Sequence, residues 1–175
     1  MKREDGFTLI DVLFVVALIG LLSTLAIQGL MRARSFAQSA SALGTLRVVN
    51  SAQLSFAITC GLGFYSPDFP TLAVKPSGAI DAFLAPELAT GPTFIKSGYN
   101  FSMAGTAVAG APASCNGLPF GAASTGYALI ADPLDSSPGA RYFGTNADGV
   151  IYEHSASLAA IMPETAAPAK GKAVN

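Results

Sequence analysis

Nineteen consecutive residues, Val12 to Leu30, carry no formal charge and are mostly aliphatic, and the residue just before them is Asp11. As a helix this run would extend roughly 28 Å at the standard rise, close to the hydrocarbon thickness of a bilayer. Its polar members, Ser23, Thr24 and Gln28, lie toward the far end. Lys2 and Arg3 in the leading "MKREDG" favour a cytoplasmic amino terminus, while Arg32 and Arg34 beyond the run weaken that bias. A cleavable secretory signal could be cut after "STLA", ending at Ala26, but Asp11 would then interrupt the start of its apolar region. A plain signal anchor fits the length and leaves Asp11 without a role. A carboxylate at the middle of a membrane helix costs about 2.5–3.5 kcal/mol on insertion scales, less near an end, so it implies a function or a partner.

The stretch "GFTLIDVLFVVALIGLLSTLAI" resembles the amino terminus of type IV pilins and of type II secretion pseudopilins. The resembling elements are the charged leader, Gly6, Phe7, the "TLI" that follows, an acid four residues after Phe7, and an apolar run containing Gly20. The resemblance implies that a prepilin peptidase cuts between Gly6 and Phe7 and methylates the new amine on Phe7. It also implies an inner-membrane precursor with its head in the periplasm, later drawn from the lipid by an assembly platform into a filament. Two positions depart from the family pattern. Asp11 stands where Glu is usual, one methylene shorter, and Gln28 stands where Pro is usual. Gly20 and Gly29 still weaken the helix locally, by roughly 1 kcal/mol each relative to Ala.

On this reading Asp11 neutralises the Phe7 amine of a neighbouring subunit. Two unit charges 4 Å apart attract by about 4 kcal/mol at an effective dielectric near 20. Leaving one of a buried pair alone costs about 3–5 kcal/mol, so the pair fixes register more than it adds stability. The intramolecular alternative pairs Asp11 with its own amine, one turn away, where the helix dipole also favours an acid.

Past Leu30, apolar residues recur at Phe36, Ala40, Leu43, Leu46, Val49, Ala52 and Phe56 in steps of three and four, the period of a helix with one face on a core. Gln38, Ser41, Thr45, Arg47 and Gln53 fall mostly off that stripe. The first proline is Pro67, so one helix from Phe7 to about Thr59 is allowed, with Gly61 and Gly63 as stops. The expected division is a leader over 1–6, a membrane and filament-core helix over 7–30, its amphipathic half over 31–60, a globular head over 61–162 and a disordered Ala/Pro/Lys tail over 163–175. Residues 61–97 read as loop with a short helix at Asp81–Leu84 capped by Asp81. Strands are expected at Gly98–Ala104, Tyr127–Pro133 and in "ARYFGT" and "GVIYEH", the last two joined at "NADG". About four antiparallel strands packed on a helix stripe make an α+β fold, which is also the shape the resemblance implies.

Charged residues make up 12% of the chain, about half the usual share, and the net charge is −1, which implies neither a nucleic acid partner nor an anionic surface. Cys60 and Cys115 fit one disulfide in an oxidising compartment or two buried thiols, and are too few for a zinc site. Many pilins carry their disulfide nearer the carboxyl terminus. His154, next to Glu153, lacks a marked nucleophile and reads as a surface residue. Asp132, Asp135 and Asp148 lack the alternating spacing of a calcium loop, although "NADG" faintly resembles the calcium region of some pseudopilins. Asn100-Phe101-Ser102 is a glycosylation triplet of a kind common by chance. The expectation is a structural filament subunit without cofactor, metal or enzymatic activity, whose partners are copies of itself and related pilins. The alternatives are a type II secretion pseudopilin and a membrane-anchored periplasmic binding domain that never polymerises.

Overall fold

The computed structural model describes residues 8–137 and 139–174. The fold is α+β: a long amino-terminal helix, α1 (Leu9–Thr59), and a six-stranded antiparallel sheet. The chain forms two compact units, one up to Ala37 and one from Gln38 onward, the head. In the first unit α1 is long and apolar enough to cross a membrane once. Its described side chains from Leu9 to Ala37 are all exposed. This segment has no core of its own.

In the head, the remainder of α1 packs on the sheet. Ala42, Leu46, Val49, Ala52 and Phe56 are buried together with Phe94, Tyr99, Phe101, Met103, Leu129, Ala131, Phe143 and Ile151. The buried helix face differs from the expected stripe at its start. Phe36 is 65% exposed and Ala40 is exposed, while Ser39, Ala42, Thr45 and Gln53 are inward. A 3.6-residue period carries the core face through Ser39 and Ala42 rather than through Phe36 and Ala40. Gln53 is admitted because its amide is fully used: Nε2 donates to Ser66 O at 2.8 Å and Oε1 accepts from Ser66 N at 2.9 Å.

The helix stops after Thr59, where Leu62 (φ 52°) and Gly63 (φ 93°) turn left-handed. A short helix, α2 (Phe69–Ala73), follows, its first turn capped by Asp68, whose Oδ1 accepts from Thr71 N at 2.9 Å. The helix expected at Asp81–Leu84 is absent; that stretch is a bend, and a single 3₁₀ turn forms instead at Pro86–Leu88. Proline preorganises the first turn of both short elements, and Asp81 has no such proline after it.

The sheet is a simple meander of β1 (Thr93–Lys96), β2 (Tyr99–Ala104), β3 (Ala128–Pro133), β4 (Tyr142–Asn146), β5 (Ile151–His154) and β6 (Lys172–Val174). Two strands exceed the expected four. β1 lies in the stretch read as loop, and joins β2 through Ser97 (φ 49°) and Gly98 (φ 80°), a two-residue loop of the primed type. β6 comes from the stretch read as disordered tail and pairs with β5. The tail is tied down along its length. Asn146 Nδ2 donates to Pro163 O and Ala166 O, Glu164 Oε1 accepts from Thr106 N, and Ala166 N donates to Asp148 Oδ2. These ties come from elsewhere in the head, so the composition of residues 163–175 could not show them.

β3 is buried on both faces, because Ile130 packs with Leu158 and Met162 on the side opposite α1. Gly144 faces this layer, where a side chain would meet Leu158 Cδ1 at 3.1 Å and Ile130 Cδ1 at 3.3 Å. It lets the 155–162 segment lie against the sheet.

Candidate assembly site

The acid in the apolar segment is positioned by the first turn of α1. Thr8 N and Thr8 Oγ1 donate to Asp11 Oδ2 at 3.2 and 2.6 Å, and Asp11 N donates back to Thr8 Oγ1 at 3.4 Å. This is a reciprocal capping arrangement, which satisfies amides that a helix start leaves without partners. The Thr-x-x-acid spacing is readable in the sequence, yet the expectation assigned no part to Thr8. Among the described residues only Oδ2 of the carboxylate is engaged. Gly6 and Phe7, the expected cut and methylation positions, lie outside the described residues, as does the leader.

The two cysteines are joined. Cys60, the residue after α1, is bridged to Cys115 with a Cα–Cα distance of 4.9 Å, and Cys115 N donates to Cys60 O at 3.3 Å. The bridge anchors the Gly- and Ala-rich connection between β2 and β3 to the end of the helix. The same connection is held by Asn116 Nδ2, which donates to Thr71 O at 2.7 Å, and by a bridge between Ser124 and Tyr65.

The outer side of α1 within the head mixes apolar and polar residues. Val48, Leu54 (54% exposed) and Ile58 (73% exposed) all face out, with Arg47, Ser51 and Ser55 among them. Beside this face lies a groove of about 540 Å³ lined by Arg47, Asn50, Ser51, Leu54, Tyr65, Tyr127 and the turn Ala147–Gly149. Three lining residues are locked together. Asn50 Oδ1 accepts from Tyr127 Oη at 3.1 Å, Asn50 Nδ2 donates to Thr145 Oγ1 at 3.0 Å, and the Tyr65 and Tyr127 rings meet edge to face at 5.2 Å. Burial pushes the Tyr127 phenol well above the usual tyrosine range, with Tyr65 adding to the shift. The sequence singled out Arg47 only as off the helix stripe and Asp148 and the "NADG" turn only as a hairpin with a faint calcium-like look, and could not bring them together, because the groove joins α1 to a turn about a hundred positions away.

The remaining polar candidates make local structural contacts, except that Asp132 Oδ1 is buried and has no hydrogen-bond partner among the described residues. His154 Nδ1 accepts from Ala156 N at 3.1 Å, closing a local turn. Asp132 Oδ2 accepts from Ser157 Oγ, Asp135 Oδ1 from Ser137 N, and Asp148 Oδ2 from Ala166 N. Among the described residues no three His, Cys, Asp or Glu side chains gather to hold a metal. Arg141, just before β4, and Glu153 in β5 form the one ion pair among the described residues, and it is bidentate. The Arg141 hydrogen bonds hold the Glu153 carboxyl below the usual carboxylate range. No family model, no curated protein and no solved structure matches this chain.

Proposed function

We propose that this chain is a structural subunit of a type IV pilus-like filament. A prepilin peptidase trims it at Gly6, and lateral packing of the helices from Phe7 onward assembles it. One observation carries the reading: α1 keeps exposed apolar residues well into the head, at Val48, Leu54 and Ile58, beyond the length needed for a membrane. Leu54 and Ile58, one helical turn apart, form a strip that bundled copies would bury. Asp11 supports the same reading. Its carboxylate is held at the first turn of the helix, four residues from the amine that trimming would create. Before assembly the Thr8 contacts would hold the acid, and in the filament the Phe7 amine of a neighbouring copy would neutralise it. The inferred partners are copies of the chain, related pilins, the peptidase and an inner-membrane assembly platform.

The test is the amino terminus of the mature protein, read from sheared cell-surface material, together with the Asp11→Ala variant. The expected results are a methylated Phe7 start and loss of filaments at normal precursor levels in the variant. Protein beginning near Ile27 in soluble form, or abundant normal filaments from Asp11→Ala, would overturn the reading.

A further inference from the structure

Asn116–Gly117 is the one Asn-Gly pair in the sequence, and such a pair carries a reaction of its own. The amide nitrogen of the residue after an asparagine can attack the side-chain Cγ. The Cγ–Nδ2 bond then breaks, ammonia leaves, and a cyclic imide remains. Water opens that ring to aspartate or isoaspartate, and nothing is oxidised or reduced. Glycine in the second position favours the attack, because it has no Cβ to hinder the approach and its backbone is the freest.

The folded head withholds every reacting atom. Asn116 is 8% exposed. The leaving nitrogen, Nδ2, donates to Thr71 O at 2.7 Å and Val74 O at 3.4 Å, and Oδ1 accepts from Ser114 Oγ. The attacking nitrogen, Gly117 N, donates to Ser114 O at 3.3 Å. Ser114 is itself fixed, because its Oγ accepts from Leu118 N at 3.1 Å and its N donates to Leu118 O at 3.0 Å. The turn lies next to Cys115, which is bridged to Cys60, and Cys115 and Gly117 are exposed. The Asn116 amide is therefore the inward-facing part of a surface turn. The reaction product does not fit this seat. A carboxylate at position 116 sets oxygen, with no proton to share, against the carbonyl oxygens of Thr71 and Val74.

We propose that Asn116–Gly117 is a self-modification site, open to deamidation by water, that the Cys60–Cys115 bridge keeps closed. In the closed connection the contacts of Asn116 form with or without the bridge. The bridge sets how often the connection opens, because cutting the link gives the open chain more freedom. A head left unbridged therefore converts Asn116, and the converted connection no longer seats on α2. The failure to form the bridge is recorded permanently in the covalent chain.

Peptide mapping by mass spectrometry of the full-length chain in detergent at neutral pH tests this, with isoaspartate read by enzymatic methylation. The samples are oxidised wild type, the double variant Cys60→Ala, Cys115→Ala, and urea-unfolded wild type. The unfolded chain is expected to convert at Asn116 ahead of Asn100, which precedes the bulky Phe101. The oxidised folded chain should convert at least about a hundredfold more slowly than the unfolded one, and the unbridged chain at least about tenfold faster than the oxidised one. Ser114→Ala in the oxidised chain is a second arm that does not depend on how the unbridged variant folds. It frees Asn116 Oδ1 with the bridge in place and should also speed conversion. In urea titration Asn116→Asp should unfold at lower denaturant than Asn116→Ala, since only the acid meets the two carbonyls with charge. An oxidised chain that converts as fast as the unfolded one, or an unbridged chain no faster than the oxidised one, would overturn the proposal. So would Ser114→Ala without effect, or Asn116→Asp as stable as Asn116→Ala.

Discussion

Removing the bridge between Cys60 and Cys115 should destabilise the head by about 4 kcal/mol. The cysteines are 55 positions apart in sequence. Closing a loop of that length removes about 14 cal/mol/K from the unfolded chain, or about 4 kcal/mol at 25 °C. Native contacts near the bridge survive its loss, because Cys115 N on Cys60 O and Asn116 on Thr71 do not depend on sulfur. The perturbation is the double variant Cys60→Ala, Cys115→Ala, with thiol-reduced wild type as a second arm free of side-chain truncation. The assay is urea unfolding of the full chain in detergent, followed by near-ultraviolet circular dichroism of tyrosine. The chain has no Trp, and its five Tyr all lie in the head. At a urea slope of about 2 kcal/mol/M the midpoint should fall by about 2 M in both arms. A fall below about 0.5 M in both arms would refute the reasoning, since the unfolded chain would then be gaining no freedom when the link is cut.

Gln53→Ala should cost about 2–4 kcal/mol, because it strands the buried N–H and C=O of Ser66; the same urea titration reads it, and a loss under about 1 kcal/mol would mean water replaces the amide. The Arg141–Glu153 pair makes a signed pH prediction. The folded Glu153 carboxyl is held below its unfolded value, so its contribution is fully present above about pH 4.3 and is lost as pH falls through the folded value. Glu153→Gln should therefore flatten the acid side of the stability profile. The effect should be under about 1 kcal/mol, because the side chains are 34% and 29% exposed. An acid limb as steep as wild type would show that other carboxylates govern it.

Local pattern was enough for much of this fold. The uncharged run from Val12 to Leu30, the absence of proline before Pro67 and the three- and four-residue spacing from Leu43 to Phe56 dictate one long helix with an apolar first part. Alternation in "YNFSMA" and the Asp-Gly turn likewise dictate antiparallel strands. These features are local because the helix period, the strand period and turn chemistry act over a few residues. Thr8 and Asp11 were equally readable as a cap, three residues apart.

Other features existed only once distant segments met. Residues 163–174 have the composition of a free tail, yet Asn146, Thr106 and Asp148 hold them to the sheet and β6 extends it. Gln53 and Thr45 look like solvent-facing residues and are buried, Gln53 because the chain returns at Ser66 to use its amide. The Arg47 groove needs Tyr65, Tyr127 and the β4–β5 turn beside α1. The sequence by itself determined the apolar helix and its misplaced acid, because charge and hydropathy are properties of residues. Tertiary structure alone decided which polar groups found partners, because a hydrogen bond or an ion pair depends on the distance between segments.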